Sequence, residues 1–218
     1  MSAPAGRLAS IQAKIEKAAR LAQRDPGEVT LIAVSKTREP EEIEEIIAAG
    51  QRHFGESRVQ EALAKWPALL AAHPELTLHC IGRLQSNKAA EAVRLFDVIH
   101  SVDRKSLLDA LVREAEKVDR RPSVYVQVNI GEEEQKGGCA ISEVGTLVDL
   151  VRVSPLPLAG LMAIPPLGVE PAPYFALLAK LARRHDVTGL SMGMSADFKA
   201  AVMLGATAVR VGTALFED

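Results

Sequence analysis

The sequence has 218 residues, of which 48% are apolar and 25% charged, and this composition excludes intrinsic disorder as the main state of the chain. Its formal net charge of −2 at pH 7 provides no long-range attraction to nucleic acid or anionic lipid. The two cysteines, Cys80 and Cys139, form neither a C-x-x-C pair nor a cluster with histidine, so we expect no bound metal and a reducing compartment.

The N-terminal segment carries charges every few residues, where a signal peptide would need an uninterrupted apolar stretch. No window approaches the roughly 18 apolar residues of a membrane-spanning helix. We therefore expect a soluble cytoplasmic monomer with neither a membrane nor a nucleic acid as partner.

Segments typical of strands and helices alternate along the chain. After an opening amphipathic helix, the β-rich run 30–36 (TLIAVSK) precedes a helical segment over 41–50. Seven further strands are predicted over 53–56, 76–82, 98–103, 123–130, 157–164, 190–194 and 208–212. Helical segments with apolar residues at three-and-four spacing separate them, including 57–71, 105–118, 141–151 and 173–183, and Pro67 is expected to break the first of these.

Eight strand–helix alternations without an internal linker favour one parallel-sheet domain over residues 1–218. Eight is the number of strands that closes a (β/α)₈ TIM barrel, so we predict an α/β fold of this kind with an extra N-terminal helix. The alternative is a doubly wound open sheet, but no G-x-G-x-x-G motif follows an early strand.

Lys36 is the first candidate for chemistry, because active sites of such barrels lie at the carboxyl ends of the strands. Side chains alternate along a strand, so Ile32, Val34 and Lys36 share one face. If that face points inward, an amine lies at the barrel mouth. Position alone fits an ordinary solvated lysine as well.

Arg210 is predicted to point into the barrel with Ala208 and Gly212, because the two valines of 208–212 occupy the opposite face. A buried guanidinium requires a partner. Either a bound ligand or an internal ion pair, with Glu56 or Asp197 as the carboxylate, meets this requirement.

The ends of the last two strands contain groups suited to a phosphate. Residues 193–197 (GMSAD), which include Met194 and Ser195, end a strand and open a helix, where unpaired backbone N–H groups bind anions. Gly212 and Thr213 end the eighth strand in a similar way, and phosphate sites after strands seven and eight recur in this fold. Ser195 could also serve simply as a helix N-cap.

A lysine amine, an arginine and a phosphate cradle together form a coherent set for pyridoxal 5′-phosphate (PLP), whose aldehyde forms a Schiff base with a lysine. The amine must be neutral to attack, and we expect partial desolvation and nearby cations such as Arg38 and Arg210 to favour that form.

Seven ordered blocks of the sequence then resemble the YggS/PROSC family of PLP-binding proteins, also called PLP homeostasis proteins. The blocks are AVSKT at 33–37, HFGESRVQEA at 53–62, IGRLQSNK at 81–88, VNIGEEEQKGG at 128–138, GLMAIPP at 160–166, LSMGMSADF at 190–198 and VRVGTALF at 209–216.

The resemblance implies a single barrel like the N-terminal domain of alanine racemase, with PLP held on Lys36. It further implies that Ser195, Gly212 and Thr213 bind the 5′-phosphate and that Arg210 faces the pyridine nitrogen. We expect Met194, next to Ser195 in the same segment, to contribute to the cofactor site as well. Ser57 departs from the family pattern, in which asparagine is usual at this position. The blocks do not assign roles to Lys88 and Lys136.

The function implied by the resemblance is buffering of PLP or its delivery to apo forms of PLP-dependent enzymes, without turnover of a substrate. An arginine that donates to the ring nitrogen weakens the ring as an electron sink. The sequence ends shortly after the eighth strand, and neither Tyr125 nor Tyr174 has the context of a second acid or base. A minimal PLP-dependent racemase or lyase is the alternative, followed by an aldolase that uses Lys36 without the cofactor.

Overall fold

A computed structural model describes residues 4–217, and within them eight strands form a closed barrel. Each strand pairs in parallel with the next, and the last pairs with the first. The strands are β1 (Thr30–Val34), β2 (His53–Glu56), β3 (Thr77–Cys80), β4 (Val98–Val102), β5 (Ser123–Gln127), β6 (Leu158–Met162), β7 (Leu190–Ser191) and β8 (Ala208–Val211). The predicted eight-stranded α/β barrel is confirmed.

Helices lie between the strands and cover the outside of the barrel. They are α1 (Pro4–Leu21), α2 (Pro40–Ala48), α3 (Val59–Ala72), α4 (Ala89–Leu95), α5 (Lys105–Val118), α6 (Val144–Arg152), α7 (Ala172–Arg184), α8 (Phe198–Met203) and α9 (Thr213–Phe216). The helix α1 precedes β1, as predicted. None of the helices in the described part of the chain combines the length and the hydropathy that a membrane crossing requires.

The main apolar core lies between the outer faces of the strands and the surrounding helices. Helix α5 shows how the sequence builds it, because its buried residues Leu107, Leu108, Leu111 and Ala115 recur at three-and-four spacing and form one face. Apolar residues from every strand of the barrel also contribute to this core. It provides most of the apolar burial that stabilises the barrel.

The inner faces of the strands enclose a narrow lumen. Ile32 of β1 lies beside Arg210 of β8 in the strand register, and both are buried. At Gly55 of β2, an added Cβ would lie 3.0 Å from the Ile32 side chain and 3.1 Å from that of Ile81. A larger side chain at this position would therefore fill the middle of the barrel.

Helix α3 differs from the prediction, because it continues through Pro67 instead of breaking there. Pro67 and Leu63 are both exposed, so the Leu63 carbonyl that loses its helical partner faces solvent. Trp66 and Leu69 on the opposite side are buried in the core and hold the helix against the barrel. The predicted break is wrong because packing outweighs the loss of one hydrogen bond.

Candidate functional site

Lys36 follows β1 by two residues and lies at the carboxyl end of the barrel, where its side chain is exposed. Its backbone is held by the next residue, Thr37, which has a φ of 61° and donates its N–H to Glu61 Oε1 at 2.5 Å. The Thr37 hydroxyl also donates to the Lys36 carbonyl at 2.6 Å. The position at the mouth agrees with the prediction, and the exposed side chain gives no support to the expected partial desolvation of the amine.

Arg38, one of the cations expected near Lys36, is paired with carboxylates. Its guanidinium forms ion pairs with Glu42, at 3.4 Å, and with Glu217. It also lies over the ring of Phe216, with 5.4 Å between the guanidinium carbon and the ring centroid. Arg38 therefore lies between two carboxylates and an aromatic ring near the carboxyl end of the barrel.

The loops after β7 and β8 meet at this same end of the barrel. The N–H of Gly212 donates to Ser195 Oγ at 3.3 Å, which joins the two loops. An added Cβ at Gly212 would lie 3.4 Å from the carbonyl oxygen of Val34, the last residue of β1. Ser195, Gly212 and Thr213 are therefore brought to the strand end that Lys36 follows.

The loop after β7 leaves backbone N–H groups without partners, and Ser195 does not cap the helix that follows. Helix α8 begins at Phe198, three residues after Ser195, so the alternative in which Ser195 is its N-cap is wrong. The Met194 N–H donates to Asp197 Oδ1 at 2.6 Å and closes the turn. Among residues 4–217, the N–H groups of Ser195 and Ala196 donate to no protein acceptor. The N–H of Thr213, in the first turn of α9, likewise has no helical partner.

Gly193 is required for this loop to form. Its φ of +94° is unfavourable for other residues, and an added Cβ would lie only 2.5 Å from the Ala201 Cβ of α8. Its carbonyl accepts the N–H of Arg210 at 3.0 Å. The close approach of α8 to the end of β7 thus depends on glycine.

Arg210 points into the lumen, where it is 3% exposed. Its Nη1 donates to Ser191 Oγ at 2.5 Å and its Nη2 to the Ala163 carbonyl at 3.2 Å. The guanidinium has five N–H donors, so further donors remain for another acceptor. Burial lowers the pKa of Arg210 to about 10, with the negative charge of Asp197 acting in the opposite direction, and the side chain stays charged at neutral pH.

Of the two alternatives for Arg210, the internal ion pair with Glu56 or Asp197 does not form among the residues that the structure describes. Glu56 is fully buried on the other side of β2, where its Oε1 lies 2.9 Å from Lys65 Nζ and accepts from the Ser35 hydroxyl and the Trp66 indole. Asp197 is bonded to the Met194 N–H. In the described part of the chain, Arg210 is therefore held by neutral acceptors alone.

The sequence reading missed a line of polar side chains inside the barrel. His53, His79 and His100 lie on β2, β3 and β4, are hydrogen-bonded in series, and lead to Ser191 and so to Arg210. The available signal was the strand alternation, since His53 shares the inward phase of Gly55 on β2.

Lys88 and Lys136, the two lysines of the family blocks without an assigned role, lie nearer the surface. Lys88 forms an ion pair with Glu91 at 3.3 Å, and Lys136 forms one with Glu133 at 2.6 Å. The carbonyl of Ser57 would lie 2.0 Å from an added Cβ at Gly82, so the loops after β2 and β3 are in direct contact.

The chain matches the family model described as "Alanine racemase, N-terminal domain" over residues 7–218. It is 43% identical over 222 residues to a pyridoxal phosphate homeostasis protein of Pseudomonas aeruginosa, and this alignment covers 99% of the chain and 96% of the relative. The structure of PipY from Synechococcus elongatus PCC7942 with PLP bound is 43% identical, with a TM-score of 0.79, and covers 93% of this chain and 99% of that one.

An alanine racemase of Clostridium difficile shares only the fold, with 13% identity and a TM-score of 0.70 over 93% of this chain and 54% of that enzyme. The high identity and nearly complete coverage of the P. aeruginosa relative are far more specific. Together with the match to the family model, they show that the chain belongs to the pyridoxal phosphate homeostasis proteins, which have the barrel of the alanine racemase N-terminal domain.

Proposed function

We propose that this protein binds PLP at the carboxyl end of its barrel, through a covalent bond to Nζ of Lys36, and serves to buffer or deliver the cofactor. The observation that carries the proposal is the hydrogen bond between Gly212 and Ser195. It joins two loops with unpaired N–H groups at the strand end that Lys36 follows.

The loops fit a phosphate because they offer hydrogen-bond donors in a small space. The backbone N–H groups of Ser195, Ala196 and Thr213 have no protein partner in the described structure, and the Ser195 hydroxyl can donate while its oxygen accepts from Gly212. Unpaired amides of this kind bind phosphate oxygens. Met194 contributes through its backbone, because its bond to Asp197 fixes the turn.

Arg210 fits the ring nitrogen of the cofactor, since it is buried, charged and has donors left over. When bound, PLP would supply an aldehyde that condenses with an amine and a ring that withdraws electrons from the carbon next to that nitrogen. Because Arg210 keeps its proton at neutral pH, it would donate to the ring nitrogen and leave it unprotonated. This arrangement favours holding the cofactor over broad amino-acid chemistry.

We further propose that the protein does not turn over a substrate. Racemisation needs a second acid or base on the opposite face of the substrate. Tyr125 is held inside the lumen, stacked on His100 with 4.4 Å between the ring centroids, and Tyr174 packs from α7 against the outer core. Burial raises the pKa of Cys139 to about 12, so its thiolate is not available either.

The covalent attachment is tested by mixing the purified protein with PLP, reducing with borohydride and locating the modified lysine by peptide mass spectrometry. We expect one modified residue, Lys36, and loss of the adduct in Lys36→Ala. Lys88→Ala is the matched control, because it removes a lysine from another family block, and it should keep the adduct. An undiminished adduct in Lys36→Ala would refute the proposed site.

Turnover is tested separately, by following exchange of the Cα proton of several amino acids in heavy water. We expect rates no higher than those of free PLP at the same concentration. Exchange well above that rate, lost in Lys36→Ala, would favour a minimal racemase or lyase instead.

A further inference from the structure

A continuous series of hydrogen bonds crosses the barrel lumen and ends at Arg210. His53 Nδ1 lies 3.1 Å from His79 Nε2, and His79 Nδ1 lies 3.0 Å from His100 Nε2. His100 Nδ1 lies 2.8 Å from Ser191 Oγ, which accepts from Arg210 Nη1 at 2.5 Å. We call the three imidazoles and Ser191 the lumen relay.

The inner rings of the relay are neutral at physiological pH. His79 is 5% exposed and His100 is fully buried. Burial lowers the pKa of His79 to about 3, with repulsion from His53 as a smaller cause. Burial also lowers the pKa of His100 far below its usual range, reinforced by His79 and Arg210. A neutral imidazole has one donor and one acceptor nitrogen, so both rings can be satisfied by a neighbour on each side.

The direction of the relay follows from Arg210 and Ser191. Arginine can only donate, so the Ser191 oxygen is the acceptor in that bond. Among residues 4–217, the only other polar group bonded to Ser191 Oγ is His100 Nδ1. If His100 donated to Ser191, the hydroxyl proton would have no acceptor inside a fully buried site, at a cost of about 1–3 kcal/mol.

The hydroxyl of Ser191 therefore donates to His100 Nδ1, and every bond beyond it points the same way. His100 donates from Nε2 to His79 Nδ1, and His79 donates from Nε2 to His53 Nδ1. This direction assigns the Nε2–H form to all three histidines. It also keeps the lone pairs of the Ser191 oxygen available to Arg210.

We propose that His100 and Ser191 are positioning residues for Arg210 and that the lumen relay fixes the guanidinium in the orientation that receives the cofactor ring. Because no carboxylate within residues 4–217 is paired with Arg210, its orientation depends on Ser191 and on the Ala163 carbonyl. His79 and His53 act one step further away, by holding His100 in the required form. Tyr125, stacked on His100 at an angle of 20°, keeps that ring in its plane.

The first test measures the form of each histidine in the protein without cofactor, so it does not depend on the proposed function. Nitrogen-15 NMR of histidine-labelled protein at pH 7.5 should show His79 and His100 as neutral rings protonated on Nε2. Protonation of His100 on Nδ1, or a charged ring at either position, would overturn the assignment.

The second test rests on the proposed PLP site and measures the equilibrium dissociation constant for PLP. His100→Leu removes the acceptor and should weaken binding about tenfold, the equivalent of one well-oriented hydrogen bond. His100→Asn keeps an acceptor at the place of Nδ1 and should bind within about threefold of the unaltered protein. Unchanged affinity in His100→Leu, or equal weakening in both variants, would overturn the positioning role.

The two proposals fail in different ways. If the unaltered protein forms no covalent PLP adduct at Lys36, the proposed function fails, while the protonation of His79 and His100 on Nε2 can still be confirmed by NMR. If His100→Leu does not fold, as judged by thermal unfolding, Ser191→Ala replaces it as a smaller change and should weaken binding by about the same tenfold factor. Full affinity in folded Ser191→Ala would contradict the proposal.

Discussion

The barrel has two interiors that differ in chemistry. The layer between strands and helices is apolar and is filled by side chains such as Phe175 and Leu111. The lumen contains His79, His100 and Arg210, all buried and all polar. The difference shows that burial of apolar side chains stabilises the layer between strands and helices. In the lumen, burial instead holds hydrogen-bond donors and the charge of Arg210 in fixed orientations.

The largest expected effect concerns the lumen and is a loss of stability in acid. Burial lowers the pKa of both His79 and His100, so the unfolded chain binds protons at these residues before the folded protein does. The part of the free energy of unfolding that depends on these neutral rings is fully present above pH 6.5, the pKa of histidine in the unfolded chain. It is lost as the pH falls from there towards about 3, the pKa of His79 in the folded protein. At pH 5 we expect each of the two histidines to lower the free energy of unfolding by about 2 kcal/mol relative to pH 8, or by about 4 kcal/mol together.

Urea unfolding at pH 5 and pH 8 measures this difference. His100→Asn removes one of the two most strongly shifted groups and should reduce the pH dependence by about 2 kcal/mol. Ser191→Ala keeps both histidines and should retain the pH dependence. A free energy of unfolding that is equal at the two pH values would mean that the folded relay takes up protons.

The second prediction concerns the apolar layer. Leu111 is fully buried on α5, and Leu111→Ala should lower the free energy of unfolding by about 3 kcal/mol through lost burial and a residual cavity. Val112→Ala, on the half-buried side of the same helix, is the matched control and should cost less than about 1 kcal/mol. PLP affinity of the folded variants should not change, since α5 does not hold the lumen relay. Weaker PLP binding by folded Leu111→Ala would show that the two interiors are coupled.

The apolar layer could be predicted from the sequence because its signal is local. Apolar spacing along segments such as 105–118 and the alternation of β1 and β8 give the barrel and the inward direction of Arg210. The lumen contacts could not be predicted in this way. His100 and Ser191 are 91 residues apart and meet only because the barrel closes. The sequence therefore left an ion pair with Glu56 or Asp197 open as one alternative for Arg210 and gave no sign that Ser191 is its partner.

The smallest expected change in stability concerns the loop after β7, where the apolar layer and the lumen meet. Gly193→Ala adds a Cβ 2.5 Å from that of Ala201 and requires a φ of +94°, whereas Gly168→Ala adds one with nothing within 4 Å at a φ of +75°. Backbone strain alone should cost Gly168→Ala about 1 kcal/mol, and we expect about 2 kcal/mol for Gly193→Ala because strain and overlap add.

The same pair separates stability from binding. Because α8 must move away from β7 to accept the new methyl group, the loop that carries the unpaired N–H groups of Ser195 and Ala196 should shift in Gly193→Ala. Isothermal titration with PLP should then show weaker binding in Gly193→Ala and unaltered binding in Gly168→Ala. Equal affinities in both variants would place the phosphate elsewhere than at the loop after β7.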